Sequence, residues 1–321
     1  MRLVFVVARV DGITTTQTTL HLAWTALRQG LAIRFIDAWD FGLSATGTIG
    51  AWCHSFEHCP ENIETFHRLL LTRGANRQRV SLTTDDVLLM RMTPVPSAVL
   101  NFAYLARASG VRVYNPPEAI ALTGPKSWLA SLSNIKQPCT IVTSSLSEAM
   151  AFAREAPHGI VVKPVHAWGG AGASHIETPT DSALRTAMRD ARSSKNRYAI
   201  VQHYLPLAVK GEKRLLWLDG ELVGGYLRER GENVFQHNLQ RGGTPHPYEI
   251  TAGDLETSAQ LSPHLLNAGV WLAGIDVIDD TVIEVNTTNP GGAYYSDKLS
   301  GTNATQRIIA HLTETPRTTP E

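Results

Sequence analysis

Acidic and amide side chains recur near the C-terminal end of the sequence, where two apolar stretches meet at Asp279-Asp280. Such a pattern is typical of a β-hairpin, in which alternate residues share one face. Glu284 and Asn286 then lie on the same face, and Asp276 can converge on them from the neighbouring strand. These oxygen donors suit Mg²⁺ that bridges nucleotide phosphates. The alternative is a hairpin with a charged outer face.

A lysine in an apolar stretch precedes a glycine cluster in the middle of the chain. Lys163 ends the run Val161-Val162-Lys163, and Gly169, Gly170 and Gly172 follow it closely. A buried lysine is costly unless it meets an anion, and glycine backbones can surround phosphate oxygens with N–H groups. We therefore predict a nucleotide site here. The loop matches neither a Walker A motif nor a dinucleotide fingerprint, so an ordinary turn is the alternative.

A third candidate segment has an apolar strand end followed by charges. Its residues Gln202, His203, Tyr204 and Leu205 could present backbone groups to a nucleotide base. Farther along, Glu212 could reach a ribose hydroxyl and Arg214 a phosphate. A strand end followed by a solvated turn would give the same pattern.

The elements that must position these residues follow from periodicity and from turn residues. Strands are predicted at Leu3–Arg9, Ala32–Ile36, Val87–Met90, Val111–Tyr114, Thr140–Thr143, Gly159–Lys163, Ala199–Gln202, Lys213–Leu218, Glu221–Arg228, Gly274–Ile278 and Thr281–Val285. Helices are predicted at Thr18–Gln29, Ser97–Ser109, Ser147–Glu155 and Leu255–Ala268, with a helical stretch at Glu118–Leu132 interrupted at Gly124-Pro125. The βαβ opening favours a parallel sheet first and antiparallel sheets later.

This pattern predicts an α/β fold whose N-terminal parallel-sheet domain precedes a two-lobed module. The prolines of Asn115-Pro116-Pro117 indicate the first domain boundary. We expect domains at 1–115, 116–200 and 201–313, and a flexible polar tail at 314–321.

Composition excludes several classes of partner. The 29 basic residues balance the 29 acidic ones, so no global charge recruits nucleic acid or an acidic membrane. No apolar run reaches membrane-spanning length. The three cysteines are too few and too scattered for a disulfide framework, which favours the reducing cytoplasm.

With these motifs in this order, the chain resembles prokaryotic glutathione synthetase over nearly its whole length. The resemblance also rests on Leu88–Arg91 and on Tyr114–Pro117. It implies an ATP-grasp ligase that activates a carboxylate as an acyl-phosphate and joins it to an amine. The expected partners are a small amino acid or peptide, ATP and Mg²⁺, with two ions and Mn²⁺ as a possible substitute. Homo-oligomers are the family expectation.

The resemblance also implies individual roles. Lys126 and Lys163 would hold phosphates, Gln202 to Leu205 the base, and Glu212 the ribose. Gly169, Gly170 and Gly172 would form a lid. The remaining roles fall to Arg214 at the transferred phosphate, Asn238 at the reacting carboxylate, Arg91 at the peptide-like substrate, and Asp276, Glu284 and Asn286 at the metal.

Departures from the family pattern concentrate in the half that would bind the organic substrates. Gln236 stands where the family prefers arginine, and Thr287–Gly292 replaces the usual Thr-Ser-Pro segment. The threonine-rich loop 11–19 lacks the family's basic character. The resemblance implies glutathione synthesis as the default, whereas these departures favour the alternative, a peptide or amide ligase of specialised metabolism with other substrates. A nucleotide-binding regulator without catalysis is the alternative of another class.

Two further features admit competing interpretations. Cys53, His54, His58 and Cys59 could bind zinc, although their spacing differs from that of known structural sites and a variable connection is expected there. His237 could accept a proton from the amine, whereas a histidine in a surface loop is the simpler expectation.

Overall fold

The computed structural model describes residues 1–74, 76–167, 169–192, 196–232 and 235–314. Its first sheet has six strands in the order β4-β3-β2-β1-β5-β6. They are β1 Arg2–Val7, β2 Ala32–Leu43, β3 Ile49–Phe56, β4 Asn76–Ser81, β5 Asp86–Met90 and β6 Arg112–Tyr114. Strand β1 pairs in parallel with β2 and β5, and β5 with β6, whereas β3 and β4 extend the sheet antiparallel.

Both faces of this sheet are covered. Helices α1 Thr18–Arg28, α2 Ile63–Leu71 and α3 Ser97–Ala108 belong to this part of the chain. Within β1, Leu3, Phe5 and Val7 join one apolar cluster while Val4 and Val6 join another. A continuous apolar run is the expected sequence of a strand buried on both faces.

The second sheet is antiparallel and has the order β7-β10-β8-β9. Its strands are β7 Thr140–Thr143, β8 Ile160–Pro164, β9 Ser174–Ile176 and β10 Ala199–His203. The associated helices are α4 Pro117–Thr123, α5 Ser127–Ala130, α6 Leu146–Arg154 and α7 Asp181–Ala191. Ser145 and Thr180 cap α6 and α7 by accepting backbone N–H bonds.

The third sheet is also antiparallel, in the order β13-β12-β11-β14-β15. Its strands are β11 Glu212–Leu218, β12 Glu221–Glu229, β13 Thr244–His246, β14 Leu272–Ile278 and β15 Thr281–Asn286. Helices α8 Ala252–Asn267, α9 Ala293–Ser300 and α10 Ala304–Glu314 complete it. The turns at Asp219-Gly220 and Asp279-Asp280 join the predicted hairpins.

The predicted α/β architecture is confirmed, and the first and third sheets share a core. Helix α10 packs on α1, and one apolar cluster unites Leu20 with Leu216 and Ile308. The expected boundary at residue 200 falls inside β10, so we propose that the second domain ends after His203. Glu314, the first residue of the expected tail, is the last residue of α10. The rest of the expected tail, residues 315–321, lies outside the described part of the chain.

No helix in the described part of the chain is long and apolar enough to cross a membrane. The cysteine–histidine segment is only partly a connection, because Cys53 and His54 belong to β3, where they point to opposite faces, while His58 and Cys59 lie in the loop that follows. Cys53 is buried in an apolar cluster, and this burial raises its thiol pKa to about 12. Such a thiol is poorly placed to bind zinc, which requires the thiolate.

Candidate active site

The hairpin β14–β15 brings the three predicted metal ligands together. Asp276 pairs with Glu284 across the two strands, and Asn286 pairs with Gly274. The Asn286 side-chain amide donates to Asp276 Oδ2 at 3.2 Å. Two carboxylates and an amide side chain thus converge, and oxygen donors of these kinds suit a hard divalent cation such as Mg²⁺.

Two arginines from neighbouring strands flank this cluster. Arg214 lies opposite Asp276 on β11 and donates to both of its oxygens, at 2.5 and 2.9 Å. Arg228 on β12 contacts Asp276 at 2.6 Å and also donates to Glu212. Although burial opposes it, Asp276 and Glu212 hold the Arg228 pKa above its usual value. Sequence reasoning missed Arg228, because a register shift between Leu216 and Trp217, which the predicted hairpin did not include, brings it opposite Glu212.

The two predicted lysines meet at the same hairpin. Lys126 Nζ lies 2.5 Å from Glu284 Oε1. Lys163 Nζ donates to Gln202 Oε1 at 3.0 Å and to the carbonyl of Ile283 at 3.3 Å. No carboxylate within the described chain lies at ion-pair distance from Lys163.

Burial and charge shift the pKa values of this group in opposite directions. Burial would raise the pKa of Glu284, but Lys126 and Lys163 outweigh it and lower the value to about 2. Burial, with Lys126 nearby, lowers the pKa of Lys163 to about 8. Among the described residues, Lys163 thus has no carboxylate at ion-pair distance to stabilise its protonated form, and a bound anion would do so.

A small cavity of about 110 Å³ lies between the second and third sheets. The predicted nucleotide residues that line it are Lys126, Lys163, Gly170, Gln202, His203, Tyr204, Leu205 and Glu212. His175 stacks on Tyr204 with ring centroids 4.0 Å apart. Burial raises the pKa of Glu212 to about 7, with Arg228 opposing the shift.

Of the three predicted glycines, Gly170 lines this cavity, whereas Gly169 and Gly172 do not. Gly169, Gly170 and Gly172 all have positive φ. A Cβ at Gly170 would lie 2.9 Å from Asn238 Oδ1, so the loop lies directly against the segment 235–242. Arg241 Nε also donates to the carbonyl of Gly169 at 3.4 Å.

The expectation of a surface histidine at position 237 is wrong. His237 is buried, and its Nε2 donates to the carbonyl of Ala208 at 2.7 Å. Its Nδ1 lies 3.7 Å from Glu212, and burial lowers the imidazole pKa. His237 lines the small cavity and does not border the larger one, which argues against its acting on an amine there.

The larger cavity, of about 1060 Å³, lies against the first sheet and contains Arg91. The Arg91 guanidinium donates to Thr19 Oγ1 at 3.2 Å and to the carbonyl of Pro290 at 2.9 Å. Burial lowers its pKa to about 9. Lys126, Asn238 and Glu284 line both cavities, so these two spaces meet where the lysine–glutamate pair lies.

Comparison with known proteins shows to which family the chain belongs. Residues 126–300 match the model of the prokaryotic glutathione synthetase ATP-grasp domain. Glutathione synthetase of Prochlorococcus marinus is 35% identical over 210 residues, covering 65% of this chain and 67% of that protein. The Agrobacterium fabrum glutathione synthetase is 32% identical over 227 residues, covering 70% of each. The chain belongs to the prokaryotic glutathione synthetase family.

Membership of the glutathione synthetase family makes this chain an ATP-dependent, ADP-forming ligase that forms an amide bond. The family uses ATP and a divalent metal, and its substrates are small amino acids or peptides. The fold has wider relatives, since a D-cycloserine synthetase superposes with a TM-score of 0.67 at 15% identity, covering 97% of this chain and 99% of that one. At that identity the similarity concerns the fold alone.

Proposed function

We propose that this ligase transfers the γ-phosphate of ATP to a substrate carboxylate, which an amine then attacks. The observation that carries this proposal is the meeting of the two cavities at Lys126, Glu284 and Asn238. ATP in the small cavity and an organic acid in the large one would bring phosphate and carboxylate together there. Phosphorylation is needed because a free carboxylate is a poor electrophile.

Asp276, Glu284 and Asn286 would hold Mg²⁺, either as two ions or with Mn²⁺ in its place. The metal would offset the negative charge of the triphosphate. Lys126 and Lys163 would hold the phosphates, and Arg214 would stabilise the transferred group because a fixed cation near developing charge lowers the barrier. Asn238 would contact the reacting carboxylate, and Arg91 the remainder of that substrate.

The nucleoside end of ATP would lie against Gln202, His203, Tyr204 and Leu205, with Glu212 at the ribose. Gly169, Gly170 and Gly172 would close over the phosphates. A closed lid excludes water, which would otherwise hydrolyse the acyl-phosphate. The contact between Gly170 and Asn238 supports a lid that reaches the reacting carboxylate.

Two substrate assignments compete. The relatives' name favours γ-glutamylcysteine and glycine as the substrates, with glutathione as the product. The departures from the family pattern at Gln236 and at 289–292 favour another acid and amine. The segment 289–292 borders the large cavity, where Asn289, Gly291 and Gly292 are lining residues. We propose that the reaction takes place in the cytoplasm and that the protein forms homo-oligomers.

ADP release with Mg²⁺-ATP, measured against a panel of acids and amines, tests the proposal. The panel contains γ-glutamylcysteine with glycine, other dipeptides and amino acids, and the product mass identifies the joined pair. We expect at least one pair to release ADP together with an amide product. ATP binding without turnover of any pair would instead favour a nucleotide-binding regulator.

A further inference from the structure

Tyr226 on β12 brings an uncommitted hydroxyl group to the large cavity, which its side chain lines. The hydroxyl forms no hydrogen bond with any described residue. It is also absent from the unpartnered side-chain atoms of the described chain that are shielded from solvent. The hydroxyl therefore lacks a partner without being enclosed, and a group bound in the cavity has access to it.

Strand pairing places Tyr226 on the face of the third sheet that carries the proposed metal site. Tyr226 lies opposite Arg214 on β11, and Arg214 lies opposite Asp276 on β14. Residues that lie opposite each other in antiparallel strands project from the same face of the sheet. The tyrosine therefore stands beside the arginine that we assign to the transferred phosphate.

Two neighbours fix the position of the Tyr226 ring. The ring of Tyr295 packs against it with centroids 5.3 Å apart. On another side, a Cβ added to Gly292 would lie 2.8 Å from Tyr226 Cε1 and 3.1 Å from Arg214 Cγ. The missing Cβ of Gly292 thus leaves room for the ring and for Arg214 side by side. A hydroxyl on a ring packed in this way is held in place, as a group that acts on a reacting atom must be.

The charges near the hydroxyl favour an anionic partner. Burial raises the pKa of Tyr226 above its usual value, although the positive charges of Arg228 and Arg214 oppose the shift. The hydroxyl therefore stays protonated at neutral pH and can donate a hydrogen bond. An anionic oxygen next to Arg214 would accept that bond, and hydrogen bonds to charged acceptors are the stronger kind.

We infer that the Tyr226 hydroxyl is a catalytic group that donates a hydrogen bond to the substrate carboxylate, at the oxygen that becomes the amide carbonyl. This inference rests on the proposed function, because it needs an acyl-phosphate beside Arg214. The other carboxylate oxygen takes the γ-phosphate, so the oxygen at Tyr226 remains free of phosphate.

The hydroxyl would act when the amine attacks the acyl-phosphate. The new C–N bond pushes the electron pair of the C=O double bond onto the oxygen held by Tyr226, and the amine nitrogen loses a proton to water. That electron pair then restores the C=O bond as the C–O bond to phosphate breaks and inorganic phosphate leaves. A fixed donor at an oxygen that gains negative charge lowers the barrier to this step.

Steady-state kinetics of Tyr226→Phe test this role, with the acid–amine pair that the wild-type protein joins. The variant keeps the ring and loses only the hydroxyl. We expect kcat to fall about 100-fold, the usual loss when one donor to a developing negative charge is removed. The KM of the acid should rise much less, because the bond is strongest in the transition state. Tyr198→Phe, at an exposed position, is the matched control and should keep the wild-type kcat.

Binding of the nucleotide distinguishes a contact with the carboxylate from a contact with phosphate. Calorimetry with Mg²⁺ and a non-hydrolysable ATP analogue should give the wild-type affinity for Tyr226→Phe, and the melting temperature should not change. A loss of affinity as large as the loss of kcat would overturn the inference, since the hydroxyl would then bind phosphate. A wild-type kcat, or a raised KM of the acid with unchanged kcat, would overturn it as well.

The wild-type protein separates this inference from the proposed function. If it joins no pair in the panel, the proposed function fails and the inference fails with it. If it joins a pair and Tyr226→Phe retains the wild-type kcat, only the inference fails.

Discussion

The two cavities differ in how their polar side chains are satisfied. Around the small cavity, Glu212 pairs with Arg228, and Glu284 pairs with Lys126 where the two cavities meet. Among the charged lining residues of this cavity in the described chain, only Lys163 has no ion-pair partner. Around the large cavity, Arg91 has only neutral partners. We propose that Lys163 fits the small cavity to the phosphates of ATP and that Arg91 leaves the large cavity open to the organic acid.

The largest expected effect lies in the small cavity's network. Glu284→Gln removes a negative charge without changing the shape of the side chain, which should weaken the proposed Mg²⁺ site. We expect turnover to fall at least about 100-fold, because the metal would then no longer offset the phosphate charge. The melting temperature should change much less. Initial rates over a range of Mg²⁺ concentrations measure the effect, with the exposed Glu256→Gln on α8 as control. Unchanged turnover would remove Glu284 from the metal site.

The glycine loop borders both cavities, since Gly169 lines the large one and Gly170 the small one, and Gly170→Ala tests its proposed role as a lid. The added Cβ would approach Asn238 and also strain a φ of +73°, so we expect about a 10-fold loss of coupled turnover. Gly30→Ala is the matched control, because Gly30 has a similar φ of +78° and an added Cβ would meet nothing. Equal losses in the two variants would mean that backbone strain alone is responsible. Product formed per ADP released is the measurement.

Thr18 lines the large cavity, where its hydroxyl accepts the backbone N–H groups of Gly292 and Ala293. Thr18→Val removes the hydroxyl that accepts the Gly292 and Ala293 amides, and we expect kcat/KM for the organic substrates to fall about 5- to 10-fold. The KM for ATP should not change. Thr180→Val is the control, since Thr180 caps α7 in the same manner, away from the large cavity. An equal fall in kcat/KM in Thr180→Val would indicate that Thr18 has only a structural role.

The smallest expected effect is a dependence of activity on pH, and it should appear in the kcat/KM for ATP alone. Lys163 is charged below its lowered pKa of about 8 and neutral above it. The kcat/KM for ATP should therefore decline as the pH rises through 8, and Lys163→Arg should abolish this decline because arginine stays charged. A flat wild-type profile between pH 7 and about 9 would contradict the assignment of Lys163 to the phosphates.

Sequence alone predicted the elements with strong local patterns. The buried strand β1, helix α1 and the hairpin β14–β15 have clear periodicity and turn residues. Strand β4 was missed because its sequence, Asn76–Ser81, is polar and exposed at the sheet edge. Charged edge strands deter edge-to-edge pairing, and they lack the apolar alternation by which strands are recognised.

The same distinction holds for the candidate site. Glu284 and Asn286 could be placed on one face from strand alternation, which is a local property, whereas a register shift between Asp276 and Val277 brings Asp276 opposite Glu284. The partners of Arg228 and the burial of His237 depend on how three strands and a loop pack together. The contact between Arg91 and Pro290 joins residues 199 positions apart. No local pattern encodes such contacts.

Oxygen-isotope transfer tests the central claim most directly, namely that a phosphate and a carboxylate meet at Lys126 and Glu284. The acid that the protein joins is labelled with ¹⁸O in its carboxylate and incubated with Mg²⁺-ATP and the amine. An acyl-phosphate intermediate transfers one labelled oxygen to each inorganic phosphate, in step with ADP. Unlabelled phosphate, or release of AMP and pyrophosphate, would contradict the account.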